Sequence, residues 1–161
     1  MTSNDVIANS LTVAGTLLDR YTADLTPAEY LQRPCADANC AAWLVGHLIL
    51  TERNGLKRLG VTDLPPLPEG FEQRFSREPA APKASDFGDV TALMPLFKRH
   101  RAMLIDAVKR ATPEQLAKPL EKPHPMFGTV GESANFIALH STMHAGQVTI
   151  IRRALGRPPL I

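Results

Sequence analysis

Residues 129–156 read TVGESANFIALHSTMHAGQVTIIRRALG, and the spacing within them predicts one long helix. Thr129 and Glu132 stand in capping-box register, where each side chain answers a backbone N–H left open at a helix start. Gly156 followed by Arg157, Pro158 and Pro159 supplies the stop. In between, Ser133, Ile137, His140, His144, Val148 and Ile151 recur at steps of three and four, which draws a stripe down one face. A stripe of that kind meets a core, so His140 and His144 are expected to point inward. Two imidazoles one turn apart can converge on a single ion with bonds of about 2.0–2.1 Å.

Three more segments carry helical periodicity. Ile7, Leu11, Ala14, Leu18 and Tyr21 define a first helix over about Asn4 to Asp24, which "TPAEY" breaks. A second begins after Asp37 or Asn39, either a plausible N-cap, and runs through CAAWLVGHLILTERNGLKRLG to Gly60, with Ala41, Leu44, Leu48 and Thr51 on its inner face. A third, from about Asp89 to Ala111, repeats Val90, Leu93, Phe97, His100, Leu104 and Ala107, with Pro95 marking a kink or a later start. No stretch alternates with period two for long enough to predict a strand, and no internal repeat is present. An all-α four-helix bundle is the economical way to hide four stripes, with residues 1–161 as a single domain. The proline-rich segment 61–87, 27 residues long, is far longer than a loop between antiparallel neighbours. It can cross the bundle, let the second and third helices run parallel, and carry Phe71, Phe75 and Phe87 as a lid.

Charge and composition exclude whole classes of partner. Eighteen basic and sixteen acidic side chains leave a formal charge of +2, too small a surplus for nucleic acid or an anionic membrane surface as main partner. No window reaches the roughly 18 apolar residues of a membrane span, and no basic cluster precedes an apolar run at the N-terminus. A soluble, cytoplasmic protein is expected, with Cys35 and Cys40 as free thiols.

An ion at His140 and His144 needs a third ligand, and the inner face of the second helix offers His47. His47 lies about 18 Å from the helix end at Leu59, and the midpoint of His140 and His144 lies about 19.5 Å from the corresponding end at Thr129. The levels agree for antiparallel helices. Three polar rings buried together are costly unless something satisfies their nitrogens, and one ion does so for all three. Three imidazoles with an open fourth position describe a catalytic transition-metal site, for which zinc and nickel are both acceptable.

Other residues are candidates for the surrounding pocket. Trp43, one turn before His47, walls the pocket or packs in the core; Gln147, one turn beyond His144, braces a ligand or a packing contact. His100 falls on an inward stripe at an offset of about 4.5 Å from the level of His47, a place behind the ligands or in the core. His124, in the proline-flanked EKPHPMFG, is expected at a solvated rim. Cys40 is about 10.5 Å along the helix from His47, too far to share the ion. Ser141, Thr142 and Met143 stand between the paired histidines, so the H-E-x-x-H of zinc peptidases is absent. Glu52 is rotated about 140° from His47 and Glu132 is two turns from His140, so neither suits a general base. Patterns for serine hydrolases and nucleotide loops are also missing.

His47 within WLVGHLILTERN, with His140, His144, Gly146 and Gln147 within HSTMHAGQVTIIRRALGRPP, resembles the DinB-like superfamily of metal-dependent enzymes. The hallmark of that superfamily is one histidine in helix two and an H-x3-H-x-G-Q segment in helix four. The resemblance covers nearly the whole chain, although Ala145 stands where many relatives carry a basic residue. It implies an up-down-down-up bundle, three histidine ligands for zinc or nickel, frequent homodimers, and activities that include thiol-dependent S-transferases alongside hydrolases. Two functions follow as expectations. In one, the ion presents water or a low-molecular-weight thiol to a small electrophilic molecule; in the other, a non-catalytic bundle binds a metal or ligand in a stress response.

Overall fold

In the computed structural model, which describes residues 1–76, 83–158 and 160, Thr2 and Asp5 cap each other's open N–H groups and start α1 (Ser3–Thr22). A second box, Thr26 with Glu29, opens the single turn α2 (Pro27–Tyr30), which ends the first helix at the predicted break. Helix α3 (Ala41–Arg58) starts from Cys40, one residue beyond Asn39. The crossing segment contains α4 (Phe71–Phe75) and 3-10 turns at Ala84–Phe87 and Val90–Ala92. Helix α5 (Leu93–Arg110) starts later than Asp89, which puts Pro95 in its first turn, where a missing N–H costs nothing. Short α6 (Pro113–Ala117) leads into strands β1 (Pro119–His124) and β2 (Phe127–Thr129), and Thr129 with Glu132 caps α7 (Val130–Ala154) as expected.

The chain is mostly helical, and its four long helices enclose the core. Helix α1 packs on α7 and α5, and α3 packs on α5 and α7. Side-chain partners give the relative senses. His47, Gly55 and Arg58 meet His140, Ile137 and Ser133 in turn, so α3 and α7 run in opposite directions. Glu52 meets Arg101 and Gly55 meets Leu104, so α3 and α5 run in the same direction. Residues 77–82 of the crossing segment lie outside the described residues. Phe71, Phe75 and Phe87 are all buried, in one run of rings with centroids 4.4 and 5.7 Å apart.

Two apolar clusters fill the interior. Between them Arg101 donates to Glu52 (3.0 and 2.5 Å), to the Leu11 carbonyl (2.5 Å) and to Ser141 Oγ (2.5 Å), which joins all four long helices. Burial pushes the Glu52 carboxyl up, and the guanidinium opposes that shift. Breaking a buried pair of this kind costs about 3–5 kcal/mol, because one charge stays buried and unmatched.

The prediction of no strands is corrected by the β1–β2 hairpin, which pairs Pro119 with Thr129 and His124 with Phe127 around an irregular register. Its strands lack alternation because anchoring, not pattern, forms them: the Val130 N–H donates to the Lys118 carbonyl, and Phe127 is buried against Phe136.

A second polar cluster closes the chain. Gly156, at φ +71°, turns the tail back, and Arg157 reaches Glu29 (2.7 and 3.0 Å) and Asp24 (2.9 Å) beside the pair that buried Arg152 makes with exposed Asp24. Hydrogen bonding to Arg157 lowers the Glu29 carboxyl from 4.5 to about 2. A lowered carboxylate contributes stability that is full above 4.5 and is lost as pH falls toward 2. Glu29→Gln should therefore melt at lower temperature than wild type at pH 7, and the difference should close between pH 4.5 and 2; a difference that persists at pH 2 would remove the assignment.

Candidate metal centre

Glycine at position 46 lets the crossing segment reach the first histidine. A Cβ there would stand 2.1 Å from the Phe75 ring, so only a bare backbone admits the ring at that depth. With Phe75 seated, its carbonyl lies 3.1 Å from His47 Nδ1. A carbonyl only accepts, so Nδ1 carries the proton and the neutral ring keeps its Nε2 lone pair. Trp43 stacks on the same imidazole, with ring centroids 4.7 Å apart and planes within 6°. Position and tautomer of His47 are thereby fixed from two sides.

Helix α7 supplies the other two rings. His144 Nδ1 donates to Gln147 Oε1 at 2.7 Å, which leaves its Nε2 unprotonated, facing His140 Nε2 at 2.9 Å. A hydrogen bond at that distance puts its proton on His140 Nε2, and a metal ion bound to both nitrogens would take that proton's place. His47 packs edge-on against both, with centroids at 5.3 and 5.5 Å. One ligand atom from each of the three histidines falls within 4.8 Å of the others, so this cluster can hold a metal ion. Tetrahedral bonds of 2.0–2.1 Å separate ligand nitrogens by about 3.3 Å. The observed spacings bracket that value, and the donor set suits a transition metal.

Two of the three histidines, His47 and His140, line a cleft of 320 Å3. One wall is a face of α3, where His47, Thr51, Asn54 and Arg58 follow at helical spacing. Phe136, Ile137 and His140 of α7 form another, and His124, Met126 and Phe127 of the hairpin a third. His124 is exposed, as expected of a rim, and stacks on Phe127 at 4.0 Å. The hairpin contribution was hidden from sequence reasoning with the hairpin itself. The α3 face was readable in principle, since residues 47, 51, 54 and 58 step by four, three and four.

The remaining candidates have other partners. His100 is buried, donates from Nδ1 to the Leu96 carbonyl (2.8 Å) and accepts from Arg53 at Nε2 (3.2 Å). Burial lowers its pKa, which keeps it neutral in the core. Glu52 is engaged with Arg101, and Glu132 caps α7. Cys35 is exposed and Cys40 buried; both are free, and burial pushes the Cys40 thiol up. Ala145 lies in the core.

With this geometry in view, the comparisons with known proteins give the class. The model of the DinB superfamily matches residues 10–148, and the chain belongs to that superfamily. No curated protein matches it. The crystal structure of a conserved protein from Enterococcus faecalis is similar over 98% of this chain and 99% of that one, with a TM-score of 0.75 at 18% identity, a likeness of fold.

Loss of the Gln147 acceptor, in Gln147→Ala, should lower affinity for zinc about 10- to 100-fold, and Gly46→Ala should lower it as well by displacing Phe75. Competition against a chromogenic chelator measures both; affinities equal to wild type would show that these contacts do not orient the ligands.

Proposed function

We propose that the chain, as a single up-down-down-up four-helix bundle, is a metal-dependent enzyme that acts on a small electrophilic molecule, as a hydrolase or a thiol-dependent S-transferase. The observation that carries this reading is the convergence of His47, His140 and His144, the first two of which line a cleft large enough for a small molecule. Zinc or nickel held by these residues supplies Lewis acidity, lowering the pKa of water or a low-molecular-weight thiol. The protein's own part is positional. The Phe75 carbonyl and Gln147 hold two rings in the ligating tautomer, and Trp43 fixes the plane of His47. Phe127 and Phe136 give the substrate an apolar surface. Glu52 is engaged with Arg101 and Glu132 caps α7, so neither serves as a proton acceptor at the triad.

Two further features complete the reading. Free Cys35 and Cys40 suit a reducing, cytoplasmic compartment. Leu139, Met143 and Ile150 are exposed along one face of α7, Val6 and Val13 are exposed on α1, and a Cβ at Gly146 on the same stretch of α7 would touch nothing. A mid-helix glycine costs about 0.5–1 kcal/mol relative to alanine, and close approach of a second copy gives it a use.

His144→Ala should lose stoichiometric metal and all turnover in a screen of ester and thiol-transfer substrates. Turnover at the wild-type rate in that variant would refute the mechanism, and metal-dependent stability without turnover on any substrate would favour the non-catalytic module. Met143→Glu should convert a dimer to monomer in light scattering after gel filtration; an unchanged mass would place the interface elsewhere.

A further inference from the structure

Among the residues that line the metal cleft, Arg58 carries the permanent charge. Arg101, Arg152 and Arg157 each meet a carboxylate, whereas among the described residues none pairs with Arg58. Its Nη1 donates to Ser133 Oγ at 2.5 Å, and its guanidinium lies 5.1 Å from the centroid of the Phe127 ring. A hydroxyl and a ring face hold the cation in place without neutralising it. The same residue lines the metal cleft and a second cleft of 350 Å3, where Lys57, Lys118 and Lys122 stand against the single acid Glu121. Ser133 is seven residues before His140 on α7, so the held guanidinium lies about 10 Å along the helix from the triad.

We propose that the ligand of this cleft is an elongated small molecule with an oxyanion, carboxylate or phosphate, which Arg58 binds at the end remote from the histidines. Its apolar middle lies on Phe127 and Phe136, and its reactive end reaches the triad. The oxyanion accepts N–H bonds from a guanidinium already oriented by Ser133, so little side-chain freedom is lost on binding. The lysines beyond add a positive field that favours the same end of the ligand. This inference rests on the enzyme reading for the identity of the reactive end, but the anion preference stands on Arg58 alone.

The test uses 4-phenylbutyrate, 4-phenylbutyl phosphate and the neutral 4-phenylbutanamide, titrated into metal-free and zinc-loaded protein and followed by backbone amide NMR shifts. At least one anion should bind about tenfold or more tighter than the amide in both forms, with shifts at Phe127, Ser133 and Phe136. The tighter of the two anions identifies the oxyanion. Arg58→Gln should reduce the preference below about twofold while zinc content stays stoichiometric, and Arg58→Lys should keep part of it. The proposal is overturned if wild type does not distinguish the anions from the amide, if the preference survives Arg58→Gln, or if it arises only in zinc-loaded protein. Failure to take up zinc would count against the triad, and the metal-free titration would still decide the role of Arg58.

Discussion

Arg101 is buried at the centre of the bundle, and everything near it follows from that confinement. A buried guanidinium must find acceptors within the protein, and it finds them on the three other long helices: a carbonyl from α1, a carboxylate from α3 and a hydroxyl from α7. Hydrophobic stripes tell helices which faces to hide but tolerate sliding along the axis. Directed bonds at 2.5–3.0 Å do not. Glu52 follows His47 by five residues, and Ser141 follows His140 directly, so the node that fixes α3 against α7 also levels the histidines.

The crossing segment has a larger role than covering one side. It sends Phe75 into the space left by Gly46 and presents a main-chain acceptor to His47, so a loop feature and a missing side chain together set a tautomer. Gln147 does the same for His144 within one turn of α7. In both rings the outward nitrogen holds the proton and the inward one offers a lone pair, which is the preparation a divalent ion requires. The hairpin then shapes what can approach, bringing His124, Met126 and Phe127 over the end of the cleft near Arg58.

The long helices were legible because stripes of period 3.6 and a capping box such as Thr129 with Glu132 are local properties of the chain. The triad was legible because rise per residue converts sequence distance into height, and His47 came out level with His140 and His144. The hairpin was not, since Pro119–His124 has little strand propensity and pairs only because α7 and Phe136 hold its ends. The Phe75 carbonyl was invisible for a similar reason: a backbone acceptor brought 28 residues along the chain leaves no mark in composition. Trp43 shows the middle ground, since its place one turn from His47 was readable and its parallel stacking was not. His100 shared the inward stripe of α5 but was drawn to Arg53, a partner whose spacing carries no periodic signal.

The central claim is that one divalent transition metal is bound through imidazole nitrogens of His47, His140 and His144. X-ray absorption at the metal edge, on protein stripped with chelator and reloaded with one equivalent of zinc, addresses it most directly. The account predicts three imidazole nitrogens at about 2.0–2.1 Å with a further light atom, and loss of the imidazole signature in His47→Ala. A shell of oxygens alone, or a nitrogen shell unchanged in that variant, would contradict it.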